Sequence, residues 1–354
     1  MPLLLNSLQE HVLLAPYTTL DIGGAARYFW TATTTESIIE AVAWATEQQQ
    51  PLFVLGGGSN ILVADKGFAG LVLQVLSQGI ESHLEGAQVF VTVAAGEVWD
   101  DLVAFTVAQG WQGLECLAGI PGRVGATPIQ NVGAYGQEVK DTIVSVSAYD
   151  RHLNKIVTLT NAECQFAYRQ SIFKHQALNR YIVLSVTYCL SSVSPPAIKY
   201  PELSQYLASH YHTSPTLVNI RQAVIEIRRT KAMVIDNPPA PDARSAGSFF
   251  MNPLVSREKL QALQQIIPTI PYFPAPSDQV KLSAAWLIEQ SNFTKGYCRG
   301  NVGISTKHAL ALINRSGGTA QEIQALAAEI IAAVRQKFNL NLQPEPVYVG
   351  FEVQ

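Results

Sequence analysis

Charge is scarce in this chain: Asp, Glu, Lys and Arg make up only 14% of its 354 residues, while hydrophobic residues make up 48%. Highly charged disorder is thereby excluded, and the surface is left to Gln, Ser, Thr and Asn. The charges that are present nearly cancel, with 24 Lys+Arg against 27 Asp+Glu and no dense basic run. A duplex nucleic-acid footprint is therefore missing, and a small-molecule ligand fits better. Cysteine is also sparse: Cys116, Cys164, Cys189 and Cys298 stand 48, 25 and 109 residues apart with no CxxC pair. That excludes a disulfide scaffold and zinc-type spacing, and we read the four as reduced thiols of a cytosolic chain. Long apolar runs are lacking too. The longest uncharged stretch, 181–198, contains five Ser/Thr and then Pro195-Pro196, so it reads as a buried strand entering a loop and not as a membrane span. The opening Met1-Pro2-Leu3-Leu4-Leu5-Asn6 has neither a basic segment before it nor a small-residue cleavage pattern, and the expectation is a soluble cytoplasmic protein that does not engage a membrane.

The length suggests two or three domains. Helical periodicity is clearest where Ile323, Leu326, Ala327, Ile330, Ile331, Val334 and Phe338 share a stripe behind Thr319 and Glu322 in capping-box spacing. Further helices are expected over 37–48 and 97–109. Strands are expected over 52–55, 89–93, 144–148, 181–190 and 347–351. The elements are interspersed without a regular βαβ repeat, which makes the fold class α+β with more than one sheet. Composition breaks at 191–200 and again at 236–244, where Pro238, Pro239 and Pro241 cluster; both are boundary candidates.

Recognised nucleotide and nucleophile signatures are absent, with no GxGxxG, Walker A or GxSxG pattern. Two glycine-rich loops stand in their place. Leu52-Phe53-Val54-Leu55 runs into Gly56-Gly57-Gly58-Ser59-Asn60, and residues 119–136 carry Gly119, Gly122, Gly125, Gly133 and Gly136 with almost no charge. Such loops are either tight structural turns or backbone cradles for a phosphate-bearing ligand, and together they fit a nucleotide cofactor. Arg169 lies among aromatic and apolar residues at 166–174, as an electrophilic anchor or as a snorkelling side chain. Small residues surround Ser248 in 245–253, leaving its hydroxyl approachable as a proton donor or as an ordinary turn serine. Glu345 stands between Pro344 and Pro346, which bias its backbone towards an extended form. The seven histidines are scattered, and only His210 and His212 are close, in a Tyr/Ser/His loop; no metal site is expected.

Taken in order, GGGSN at 56–60, IPGRVGATPIQNVGAYG at 120–136, YRQSIFK at 168–174, SAGSFFMNP at 245–253 and QPEP at 343–346 resemble one family across nearly the whole chain. It is UDP-N-acetylenolpyruvoylglucosamine reductase, the MurB flavoenzymes of peptidoglycan precursor synthesis, type I. The resemblance implies an FAD-binding region of the vanillyl-alcohol-oxidase type in two subdomains, 1–65 completed by 334–354, and 66–232. A C-terminal α+β substrate-binding domain over 233–333 would follow, and the C-terminal strand would return to the first subdomain. It implies reduction of an enolpyruvyl ether of UDP-N-acetylglucosamine to UDP-N-acetylmuramate by NADPH through FAD.

Carried over residue by residue, Ser248 matches the family's proton donor, and Arg169 and Glu345 match the pair that polarises the enolpyruvyl group. FAD would be held by Gly56, Gly57, Gly58, Ser59, Asn60, Pro121, Gly122, Gly125, Ala126, Thr127, Asn131, Gly133 and Ala134. Lys231 matches a diphosphate contact, and Tyr135, Tyr200, Asn252 and His308 match positions lining the UDP-sugar cleft, with Tyr200 closing over substrate. The chain departs from the family pattern at Pro346, usually β-branched, and at Val347, basic in some relatives. A monomer is expected. The competing readings are an FAD oxidase of the same superfamily acting on another small substrate, and a nucleotide-sugar-binding protein without catalysis.

Overall fold

Valine at every second position, Val89, Val91 and Val93, builds one buried face of the strand Gln88–Ala94, which the computed structural model sets in a five-stranded antiparallel sheet. The order is Lys155–Thr160, Ile143–Asp150, Tyr181–Ser191, Gln88–Ala94, Ile80–Glu85. The uncharged stretch at 181 is thus the sheet's central strand, with Val186 and Tyr188 wholly buried. The structure describes residues 8–193, 198–236, 240–276 and 278–352. The N-terminal apolar run and the prolines at 195–196 and 238–239 singled out above lie outside them.

The chain divides into two units: Met1–Val12 with Ala26–Gly57 and Ala69–Val234, and Leu13–Ala25 with Gly58–Phe68 and Ile235–Gln354. The change at Val234/Ile235 falls at the start of the proline-rich segment. In the first unit a four-stranded sheet, ordered Leu8–Leu13, Ala25–Ala32, Phe68–Val75, Leu52–Leu55, accompanies the five-stranded one. Its last two strands are parallel, Leu52 opposite Leu71 and Leu55 opposite Gln74. The helix expected over 37–48 occupies Thr35–Glu47, starting earlier because the Thr34 hydroxyl accepts from the Ser37 N–H and so caps it. It buries Ile38, Ala41, Val42 and Ala45, an i, i+3, i+4, i+7 stripe. The helix expected over 97–109 is Trp99–Ala108. Two helices that sequence periodicity did not suggest, Pro201–His210 and Leu217–Thr230, pack on the same core. His210, assigned above to a loop, ends the first of them and stacks on Tyr206 one turn back, with ring centroids 4.0 Å apart.

In the second unit the helix Ala320–Phe338 buries Ile323, Leu326, Ala327, Ile330, Val334 and Phe338. Its first N–H groups are satisfied by the Thr319–Glu322 capping box and by Asp65, whose carboxylate accepts from Ala320 and Gln321 at 2.7 and 3.0 Å. Short antiparallel sheets join Leu254–Ser256, Gln279–Leu282 and Tyr272–Pro274, and Cys298–Arg299, Val302–Ile304 and Leu312–Asn314. The C-terminal strand pairs in parallel with Ile61–Val63. It covers Val347–Val349 only. Gly350 turns the chain at φ +79, and a Cβ there would stand 2.0 Å from the Gly67 carbonyl. All four cysteines are free; burial pushes the Cys116 and Cys164 thiols up to about 12. Among the described residues no helix is long and apolar enough to cross a membrane, and no group of three or more His, Cys, Asp or Glu could hold a metal.

Candidate active site

In the first unit the strand Leu52–Leu55 delivers Gly56 and Gly57 against the second glycine-rich loop. A Cβ on Gly57 would stand 2.6 Å from the Gly122 Cα, so two backbones meet where a side chain would separate them. The partner loop is fixed from below. Val124 and Gly125 donate to the carbonyls of Glu97 and Ala95 at 3.0 and 2.8 Å, and Arg123 Nη1 donates to Gly96 O at 2.8 Å. A Cβ on Gly125 would meet the Ala95 Cβ at 2.6 Å. Pro121 and Gly122 are half-buried, Ala126 is exposed, and Gly122 has φ +129. This bare-backbone cradle suits a phosphate-bearing cofactor.

Thr127 and Asn131 face inward. The buried Thr127 hydroxyl donates to Val124 O at 2.8 Å and shares a hydrogen bond with the Tyr188 hydroxyl at 2.9 Å. Asn131 is wholly buried; its amide donates to Glu138 Oε2 and Ala167 O and accepts from Lys140 N. Both side chains tie the cradle to the rest of the unit.

Gly133–Ala134 and Gln137–Glu138 form a two-residue hairpin around Tyr135-Gly136, whose φ values are +46 and +84. Positive φ at both central residues is the primed turn that suits hairpins, and it favours Asn or Gly over Tyr. Arg169 is likewise left-handed, φ +57, in the turn closed by mutual hydrogen bonds between Ala167 and Gln170. Its Nη2 donates to Gly133 O at 2.8 Å and its guanidinium lies 5.5 Å from the Tyr168 ring. Two bulky side chains are therefore held in a backbone region costing on the order of 1 kcal/mol or more each. Both are residues singled out from the sequence.

A second group gathers around Tyr135. Its ring meets that of Tyr200 edge-on, 5.4 Å between centroids at 85°, and Lys231 Nζ lies 5.7 Å from the Tyr135 centroid. Lys231 pairs with Glu202 at 2.6 Å. Burial pushes the Tyr135 hydroxyl up to about 12, against the pull of Arg228, and burial likewise raises Tyr200. Desolvation lowers the pKa of Arg228 itself, whose Nη2 donates to Met233 O at 2.9 Å. Sequence reading missed Arg228 and Glu202 here, although Arg228 and Lys231 are spaced i, i+3 at a helix end.

In the second unit the segments bearing Ser248 and Glu345 run side by side. Glu345 N donates to Phe249 O at 2.9 Å, Met251 N donates to Gln343 O at 3.0 Å, and Phe250 bridges Pro344. Gly247, at φ +72 with open space around its Cβ position, turns the chain into the half-buried Ser248. Asn60 reaches the same place: its side-chain Nδ2 donates to Glu345 O at 3.4 Å and its backbone carbonyl accepts from Val347 N at 3.0 Å. Gly58 is packed so that a Cβ would meet Tyr17 O at 1.8 Å, while Ser59 is half-buried beside it. Asn252 Oδ1 accepts from Ala284 N at 2.9 Å, capping the helix Ala284–Gln290. His308 Nδ1 accepts from Leu310 N at 3.0 Å, which puts the proton of the neutral ring on Nε2. Pro346, the departure noted in the sequence, is buried.

Residues 26–160 match the FAD binding domain family, and with the α+β architecture and the glycine cradle this defines an FAD-dependent oxidoreductase with a binding region of the vanillyl-alcohol-oxidase type. Residues 239–349 match the C-terminal domain of UDP-N-acetylenolpyruvoylglucosamine reductase. The reductase of that name from Thermobifida fusca is 46% identical over 98% of this chain and 99% of its own, and that from Streptomyces avermitilis is 47% identical over 96% and 94%. The crystal structure of the MurB reductase from Thermus caldophilus superposes with a TM-score of 0.65 at 26% identity, covering 97% of this chain and 99% of that one. The chain belongs to the UDP-N-acetylenolpyruvoylglucosamine reductase family, flavoprotein oxidoreductases of peptidoglycan precursor synthesis.

Proposed function

We propose that this enzyme reduces the enolpyruvyl ether of UDP-N-acetylglucosamine to UDP-N-acetylmuramate with NADPH as reductant, and that Arg169, Ser248 and Glu345 carry out the chemistry. The observation that supports this most strongly is the pairing of the Ser248 and Glu345 segments, nearly a hundred positions apart, through Glu345 N to Phe249 O at 2.9 Å.

FAD would be held by Gly56, Gly57, Gly58, Ser59, Asn60, Pro121, Gly122, Gly125, Ala126, Gly133 and Ala134, and when bound would supply hydride to the substrate's β-carbon. Thr127 and Asn131 hold the cradle's shape through their internal hydrogen bonds. As negative charge develops on the α-carbon and carboxylate, the Arg169 guanidinium stabilises it; the turn and the Gly133 carbonyl orient that group beforehand. The Ser248 hydroxyl then gives its proton to the α-carbon. A serine is a weak acid, adequate here because the acceptor is strongly basic. Glu345 hydrogen-bonds the enolic group from a backbone fixed by Pro344 and Pro346. Lys231 takes the diphosphate, and Tyr135, Tyr200, Asn252 and His308 line the sugar-nucleotide cleft. A monomer in the cytoplasm, the compartment of NADPH and nucleotide-activated sugars, completes the proposal.

Ser248→Ala tests it. Stopped-flow reduction of the flavin by NADPH should keep its wild-type rate, while reoxidation by the enolpyruvyl substrate slows by at least 10²-fold, about 3 kcal/mol of barrier. A loss under about tenfold removes Ser248 from the acid role.

A further inference from the structure

We infer that Glu202 is an internal stand-in for the substrate's diphosphate, holding Lys231 until the ligand displaces it. The inference rests on the reading of Lys231 as a diphosphate contact and adds a residue that neither the family resemblance nor the sequence motifs pointed to. Lys231 closes the helix Leu217–Thr230 and carries its ammonium over the Tyr135 ring, 5.7 Å from the centroid. Its hydrogen-bond partner is Glu202 Oε2 at 2.6 Å. Glu202 lies in the first turn of the helix Pro201–His210, two residues after Tyr200, whose ring packs edge-on against Tyr135. One carboxylate therefore sits among the groups proposed to receive the ligand, and it adds to the rise that burial gives both tyrosine hydroxyls.

The pair is built to part. Its side chains are 28% and 42% exposed, so water screens the attraction and the bond is weak. A diphosphate brings more than one negative charge and several acceptor oxygens to the same ammonium. Entry of the ligand exchanges one anion for a stronger one and releases Glu202 towards solvent.

Isothermal titration of FAD-loaded protein with UDP, and with uridine as the phosphate-free control, separates this role from a structural one. Glu202→Gln should bind UDP about two- to fivefold more tightly, the range of an exposed ion pair, with uridine unchanged. In turnover KM should fall with kcat within about twofold. Glu202→Asp, which keeps the charge, should stay near wild type. Lys231→Met should weaken UDP and leave uridine unchanged, and in that background Glu202→Gln should lose most of its gain. If Lys231→Met leaves UDP affinity unchanged, the reading of Lys231 fails and the stand-in fails with it. If Lys231→Met behaves as expected but Glu202→Gln leaves UDP affinity unchanged or weakens it, Glu202 is a structural partner of Lys231 and the inference alone is overturned. A gain that persists undiminished without Lys231 is general charge repulsion and overturns it equally.

Discussion

Replacing Gly57 by alanine places a methyl group 2.6 Å from the Gly122 Cα, 3.2 Å from its carbonyl carbon and 3.4 Å from its nitrogen. The obstacle is backbone on both sides, so no side chain can swing away. To restore an ordinary contact of 3.4 Å, the two loops must part by about 0.8 Å, against the hydrogen bonds that fix Val124 and Gly125 to Glu97 and Ala95. Forced overpacking of this kind costs about 1–3 kcal/mol. The cost should lower the stability of the FAD-free protein, and because the strained contact is the cradle itself it should also weaken FAD, by at most about 150-fold. Gly56 is the internal control. Its Cβ would lie 3.7 Å from the Arg123 Cβ and 3.8 Å from the Ala126 Cβ, ordinary van der Waals distances. FAD affinity is read by quenching of flavin fluorescence, and the melting temperature of the FAD-free protein by calorimetry. Gly57→Ala should lose on both, and Gly56→Ala should keep the FAD-free melting temperature within about one degree. A Gly57→Ala protein with wild-type FAD affinity and melting temperature would refute the argument that backbone approach shapes the cofactor site.

Two further outcomes are expected. The buried Asp150 accepts from Arg180 and from the N–H groups of His152 and Leu153, which hold its carboxyl at about 2 instead of 3.8. A depressed carboxyl pKa contributes stability above pH 4 that is lost as pH falls towards 2. Asp150→Asn should cost about 2 kcal/mol at neutral pH and flatten the acid limb of urea unfolding; an unchanged limb would show the pair to be inert. Thr127→Val should cost about 1–3 kcal/mol by stranding the buried Tyr188 hydroxyl, and Tyr188→Phe in that background should cost little more; full additivity of the two would contradict the shared hydrogen bond.

Local signals carried much of the fold. The strand Leu52–Leu55 matched its expected bounds, and the capping box at Thr319 marked the start of the longest helix among the described residues. Where the pattern was weak the reading fell short. Ile80–Glu85 is exposed along its whole length and pairs with Gln88–Ala94 at the edge of the sheet, so no alternation advertises it. The short strands after residue 250 are likewise too brief to show a period. For the proposed site, an arginine among apolar residues, a serine among small ones and a glutamate between prolines made Arg169, Ser248 and Glu345 candidates, and the family resemblance gave them their proposed roles. What sequence left hidden were long-range relations: the Gly57–Gly122 contact, the clamp that Asn131 forms with Glu138 and Ala167, and the Glu202–Lys231 pair. Each joins segments whose proximity only the folded chain creates.

The most direct measurement is the anaerobic visible spectrum of the purified protein through one catalytic cycle. The expected result is a flavin absorbance that NADPH bleaches and that an equivalent of the enolpyruvyl UDP-sugar restores, with the lactyl ether as product. A flavin that NADPH leaves oxidised, or one that stays bleached when that substrate is added and recovers only with oxygen, would contradict the assignment.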